Sequence, residues 1–339
     1  MTYISSFFKF IETGDLGEVK VSVGGVCGRL TVFSYKEPLV ITFSNAVETV
    51  STEAWQSNKD RIWGYNYMKS KNLNVLSFSC LDQANWYRDH RFHDFILKLA
   101  IYIQKFPVRL GYGGSMGGYA VSAFSNCLNL DRIFILNPIS SLNKAIAPFE
   151  NRFLKGQNFD WSTRFIDGAE SNCTGFIVYD PLYNLDAMHA KRYVNLKRYC
   201  LAGVGHQMPI HLNNLKMLKL CFDYFYTGKD FDSFFYKMSK KRRNYEKYYK
   251  WMLSDANKHL TPVRKSVIKK HYRSYLAKKD NNLIVSRSDI AKLKTQAIYL
   301  YNAGSYKSSF EILSVLKSIM PDGKEIKDYY NLASKRLES

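Results

Sequence analysis

The chain has 339 residues, 46% apolar and 23% charged, which allows two domains or one α/β domain with an extension and excludes disorder over most of its length. Its 49 Lys and Arg residues outnumber 29 Asp and Glu residues, a net charge of +20, and 25 of the basic residues against 11 of the acidic ones lie from Lys229 onward. Such a block suits an anionic partner, and a coding bias toward Lys, Tyr, Phe, Asn and Ile explains it equally well.

The first 228 residues alternate β-rich runs with amphipathic stretches. Val19 to Val23 and Leu30 to Phe33 predict an antiparallel pair around the turn residues Gly24 and Gly25. Pro38 to Phe43 predicts a buried strand ending at Ser44-Asn45, and Asn74 to Phe78 predicts the next. Asp94 to Gln104 has helical spacing. A strand over Val108 to Tyr112 runs into Gly113-Gly114-Ser115-Met116-Gly117-Gly118, and a helix is expected from Gly117 to Cys127. Further strands are expected at Arg132 to Leu136, Gly175 to Tyr179 and Arg198 to Ala202. This alternation implies a mostly parallel sheet with helices on both faces.

After Gly228 strand-like runs nearly vanish, so the expected organisation is an α/β domain over 1–228 and a basic helical extension over 229–339. Within the extension, Ala297, Tyr301, Gly304, Tyr306 and Phe310 have the spacing of one tetratricopeptide-like hairpin with Gly304 in its turn. Without a second copy, a plain helical hairpin is preferred. Cys27, Cys80, Cys127, Cys173, Cys200 and Cys221 are scattered without a CxxC pair, which reads as reduced thiols in a cytoplasmic protein. The apolar stretch Ile4 to Ile11 lacks a basic lead and a cleavage site, so no targeting segment is expected.

Gly113-Gly114-Ser115-Met116-Gly117 matches GxSxG, and it follows an apolar strand and opens a helix. A sharp strand-to-helix turn there projects the Ser115 hydroxyl above the sheet. A lone serine needs a base, and the order expected on such a scaffold is serine, acid, histidine. His206 follows the last strand in a Gly-Val-Gly-His turn. Asp180 is the preferred acid because it sits directly at a strand end, where open α/β sheets place their sites. Asp186 in the same loop is the rival, and Asp167 is third. The oxyanion donors are expected to be Met116 N–H and an amide of Ser44, Asn45 or Ala46. Two aromatic and basic clusters, Asn85-Trp86-Tyr87-Arg88 and Pro148 to Phe153, are candidates to line the site. From them Trp86, Tyr87, Arg88 and Arg152 are expected to bind substrate, with packing beneath a cap as the competing reading. His90 and His93 lack a carboxylate or cysteine at ligand spacing, so no metal is expected. His189, His211, His259 and His271 read as ordinary helix or surface residues. Neither a P-loop nor a dinucleotide GxGxxG is present.

From Pro38 to Leu220 these motifs resemble the α/β-hydrolase family. Ile41-Thr42-Phe43-Ser44, Asn85-Trp86-Tyr87 and Pro148 to Phe153 are similar to a branch associated with bacterial capsule and surface-polysaccharide loci. The resemblance implies a serine esterase or a carbohydrate O-acetyltransferase. The first requires no cofactor, and the second takes acetyl-CoA as co-substrate. A carbohydrate or acyl ester is the expected substrate, and the basic helices are expected to meet an anionic polymer, a membrane surface or a protein. Nucleic acid is disfavoured because no recognisable binding module accompanies them. The location implied is cytoplasmic, with peripheral attachment to the inner face of the membrane as an extension. Two readings compete with the enzyme: a non-catalytic scaffold of the same fold, and a serine peptidase, for which no specificity pocket is legible.

Overall fold

A computed structural model describes residues 3–254, 260–281, 287–321 and 323–338, so His259 lies outside the described residues. Eight strands, β1 (Gly17–Val23), β2 (Val26–Val32), β3 (Leu39–Phe43), β4 (Asn74–Cys80), β5 (Arg109–Ser115), β6 (Arg132–Pro138), β7 (Thr174–Tyr179) and β8 (Lys197–Cys200), form one sheet in the order β1-β2-β4-β3-β5-β6-β7-β8. β2 runs antiparallel to β1 and β4, and the remaining pairs are parallel. This is the sheet order of the α/β-hydrolase fold, with helices on both faces and a helical C-terminal region.

Alternating side chains explain why both faces are covered. Ile133 and Ile135 of β6 enter one apolar cluster, whereas Phe134 and Leu136 enter the other. Near-continuous apolar runs of this kind belong to parallel strands buried on both sides. The β1–β2 turn has φ of 57° and 70° at Gly24 and Gly25, the left-handed pair that a two-residue hairpin turn requires. The helix after β4 spans His90–Tyr102, starting before the expected Asp94 because the Asp89 side chain caps it through Arg91 N–H.

The described residues divide into two compact units, Met1–Tyr272 and Arg273–Ser339. The first reaches past the change of pattern at 228. Phe231 and Phe235 pack against Tyr199 of β8 with tilted rings, and the helix Glu246–Leu253 lays Tyr248 and Met252 over Gly203. In the second unit the helices Arg287–Asn302, Tyr306–Ile319 and Lys324–Glu338 enclose Ala297, Leu313, Leu316, Ile326 and Ala333. Gly304 lies between the first two helices with φ of 77°. No helix among the described residues is long and apolar enough to cross a membrane.

Candidate active site

The site is built at the C-terminal ends of the parallel strands. β5 ends at Ser115 and the helix Met116–Ser125 begins at once. Ser115 has φ of 53° and ψ of −119°, an uncommon conformation for a residue with a β-carbon. Tight packing holds the turn. A β-carbon on Gly113 would lie 2.4 Å from the Gly117 carbonyl oxygen, and one on Gly117 would lie 2.0 Å from that of Phe43. The glycines therefore let the helix start approach both its own strand and β3.

Ser115 is 8% exposed, and its Oγ lies 3.0 Å from His206 Nε2. On the other side of the imidazole, Nδ1 is 2.8 Å from both carboxylate oxygens of Asp186. Asp186 lies in the first turn of the helix Asn184–Arg192 and is fully buried. The preferred acid, Asp180, is therefore corrected to its rival. Asp180 Oδ2 accepts hydrogen bonds from the backbone N–H groups of Gly203, Val204 and Gly205 at 3.0, 2.8 and 2.7 Å. It ties down the turn that carries His206, and this use consumes the carboxylate. Strand-end position alone did not reveal which carboxylate faces the ring, because the chain runs six residues further into a helix before the acid points back. Asp167 pairs with Arg192 and receives Ala169 N–H.

The oxyanion expectation is narrowed in the same way. Ser44 N–H donates to the Phe78 carbonyl at 2.9 Å and is already used. Asn45 follows it in the loop, and Met116 opens the helix immediately after Ser115.

Three of the expected substrate residues are not presented to a substrate. Trp86 and Arg88 are each 1% exposed, and Tyr87 is fully buried. Trp86 packs on Phe153 and Tyr119. The Tyr87 hydroxyl donates to the Ser44 carbonyl at 2.9 Å, fixing the loop after β3. Arg88 donates to the carbonyls of Asp160, Arg164 and Phe165 and to the Thr163 hydroxyl, at 2.6 to 3.1 Å. It clamps the 160–165 loop from within, since a buried guanidinium must spend its donors on acceptors.

Arg152 does reach the site, but its donors are committed. Nη1 lies 2.9 Å from Asp186 Oδ1 and 3.1 Å from His206 Nδ1. Nε lies 3.0 and 3.1 Å from the two Glu150 oxygens, and Nη2 lies 2.6 Å from Glu150 Oε2. Two carboxylates thus occupy the guanidinium of this residue, which was expected to bind substrate. Glu150 Oε2 is in turn 2.9 Å from His189 Nε2. His189 Nδ1 accepts Ser140 N–H at 3.0 Å, so Nε2 carries the proton it gives to Glu150. Burial pushes the Glu150 carboxyl up, but His189 and Arg152 outweigh it and hold the group at about 2. Burial also keeps His189 below the usual histidine range. His189, expected to be an ordinary helix residue, is fully buried in this network. Ser140 Oγ lies 2.8 Å from His189 Nδ1, yet Ser140 is fully buried and takes a hydrogen bond from Arg192, so it is not a second nucleophile.

Glu150, His189 and Asn137 were missed as site residues. The available signals were the Glu-x-Arg spacing of 150 and 152 and the Asp-x-x-His spacing of 186 and 189, which puts both groups on one helix face. Asn137, at the end of β6 with φ of 37°, places Nδ2 3.2 Å from His206 Nε2. Phe153 and Tyr183 flank His206 with ring centroids 6.1 and 6.0 Å away, and Trp251 packs against Tyr183 and Gly205.

Known family profiles and curated protein sequences give no match to this chain. Among solved structures, it is similar to the capsule O-acetyltransferase of Neisseria meningitidis serogroup A in complex with caged gadolinium, at 15% identity and a TM-score of 0.42, over 62% of this chain and 92% of that one. It is also similar to Est1E from Butyrivibrio proteoclasticus, at 14% identity and a TM-score of 0.39, over 61% and 98% of the two chains. A third is the fluorophosphonate-binding serine hydrolase F of Staphylococcus aureus, at 15% identity and a TM-score of 0.38, over 60% and 96%.

Proposed function

We propose that this chain transfers acyl groups through an ester on Ser115, with His206 as general base and Asp186 as the acid that orients it. The observation that carries the reading is the unbroken line from Ser115 Oγ to His206 Nε2 at 3.0 Å and from His206 Nδ1 to Asp186 at 2.8 Å, set on a strained strand-to-helix turn. In the first step Oγ bonds to the carbonyl carbon of an ester and its proton passes to Nε2. Met116 N–H and Asn45 N–H donate to the resulting oxyanion. Collapse breaks the bond to the leaving alcohol, or to the CoA thiol where acetyl-CoA is the donor, which takes the proton from His206, and the acyl group stays on Ser115. Water or a sugar hydroxyl then gives its proton to His206 and attacks the acyl carbon, and His206 returns that proton to Ser115 Oγ as the acyl–Oγ bond breaks. Asp186 stabilises the imidazolium in both halves.

The proposed substrate is an acyl ester of a glycan. The sequence resemblance suggests it, and the aromatic faces of Phe153 and Tyr183 beside His206 suit a sugar ring. With water as acceptor the protein is an esterase and needs no cofactor. With a glycan hydroxyl as acceptor it is an O-acetyltransferase, and acetyl-CoA is the donor. The test is turnover of p-nitrophenyl acetate, then acetyl-CoA with an acidic polysaccharide, alongside labelling by a fluorophosphonate. Activity in either assay, with labelling, and loss of both in Ser115→Ala, is expected. A protein inert to substrate and probe alike contradicts the reading.

A further inference from the structure

We propose that Glu150 and Arg152 are positioning residues, a charge-balanced pair that holds Asp186 ionised and sets the basicity of His206. The inference rests on reading Ser115, His206 and Asp186 as the acyl-transfer triad. Asp186 is fully buried, and a carboxylate withdrawn from water needs donors. The described side chains that meet it are the His206 imidazole and the Arg152 guanidinium. Of these, only Arg152 carries a permanent charge.

An unbalanced guanidinium there would be a poor neighbour for the base. Arg152 Nη1 is 3.1 Å from His206 Nδ1, so its full charge would oppose the imidazolium that forms in each half-reaction. Glu150 answers this by approaching the same guanidinium through three contacts of 2.6 to 3.1 Å. The Arg–Glu pair is then close to neutral as seen from the ring, and the negative charge of Asp186 is left for the imidazolium. Arg152 still supplies the hydrogen bond that fixes the carboxylate. His189, with its tautomer set by Ser140 N–H, pins Glu150 from behind.

The other polar groups facing this assembly leave the balance intact. Ser115 and Asn137 approach the opposite ring nitrogen and are neutral. The Tyr183 and Phe153 rings lie 5.4 and 5.2 Å from the Arg152 guanidinium. Asp180 spends its carboxylate on the backbone of the His206 turn. Lys144 donates to the Glu150 backbone carbonyl. Arg192 and Asp167 form their own pair behind Ser140.

The test compares Glu150→Gln with Arg152→Met. Removing the glutamate charge leaves the cation unbalanced, and the titration midpoint of His206 is expected to fall by about one pH unit; removing the cation is expected to raise it by about as much. A purely structural role would not move the two midpoints in opposite directions. The readout is NMR titration of isotope-labelled histidine, assigned with His206→Gln, alongside the acid limb of kcat/KM for p-nitrophenyl acetate. Midpoints that move in the same direction, or stay put, overturn the inference. Where a single variant does not fold, Glu150→Gln/Arg152→Met removes both charges and is expected to restore the wild-type midpoint to within about half a pH unit. A double-variant midpoint displaced further overturns the inference too. Because the NMR titration needs no substrate, a wild type that neither turns over ester nor takes up fluorophosphonate sinks the acyl-transfer reading separately.

Discussion

Arg88 and Arg152 sit in two loop regions that look alike in sequence, each an aromatic and basic cluster in a connection leaving the C-terminal edge of the sheet. Arg88 is buried and Arg152 is half-buried, and the two are used differently. Arg88 meets main-chain carbonyls and the Thr163 hydroxyl of the 160–165 loop, whereas Arg152 meets two buried carboxylates and adjoins His206. A guanidinium spent on carbonyls is a structural clamp. One spent on the carboxylate that faces His206 takes part in the electrostatics of the proposed reaction. Composition does not separate the two cases, and the identity of the acceptors does.

The largest effect that sharpens this contrast is expected at the carboxylate itself. Asp186→Asn should lower kcat by about 10⁴-fold, because an amide holds the imidazole in the wrong tautomer. Steady-state kinetics on an activated ester checks this. Next, Arg88→Met should leave the Asp160 and Arg164 carbonyls and the Thr163 hydroxyl without the donors that hold the 160–165 loop. It is expected to lose about 3 kcal/mol of stability and to keep kcat within about fivefold at 25 °C. Chemical denaturation beside kinetics measures both, and a variant that is stable but inactive would break the comparison. Asp180→Asn should fall between them. It weakens the three backbone contacts behind His206, and about 2 kcal/mol of stability and about tenfold in kcat are the expected losses.

The smallest effect concerns pH and lies outside the two arginine regions. His93 is held near 4 by burial and by neighbouring Arg88, and His211 near 4 by burial and Lys247. Both midpoints are depressed from 6.5, so the unfolded chain binds the protons more readily than the folded one. Stability from keeping these rings neutral is present above about 6.5 and drains away as pH falls toward 4. Urea midpoints measured between those values should decline with acidity, and the decline should be shallower in His93→Gln/His211→Gln.

Much of this was legible in the sequence, and the failures have a common physical origin. The strands were readable because parallel strands buried on both faces are written as continuous apolar runs, as in Arg132 to Leu136. The turn at Ser115 was readable because close approach of the helix to β3 admits no side chain at 117. His206 was readable from its place after β8. Asp186 was ranked second because the choice between two acids depends on where a helix turns its first residues, which local pattern does not encode. Trp86, Tyr87 and Arg88 read as substrate residues on composition, and only long-range partners show that they are interior: Phe153 and Tyr119 for Trp86, Ser44 for Tyr87 and the 160–165 loop for Arg88. Glu150 and His189 leave only local spacings in the sequence, Glu-x-Arg and Asp-x-x-His, since a buried charged network depends on long-range partners.

The central claim is that Ser115, His206 and Asp186 act together on an acyl group. Its most direct test is the rate at which a fluorophosphonate becomes attached to Ser115, followed by mass spectrometry of the labelled peptide in wild type, Asp186→Asn and Asp180→Asn. The account predicts label on Ser115, slowed about a thousandfold or more in Asp186→Asn and within about tenfold of wild type in Asp180→Asn. Label on another residue, or Asp180→Asn as the slower of the two variants, would contradict it.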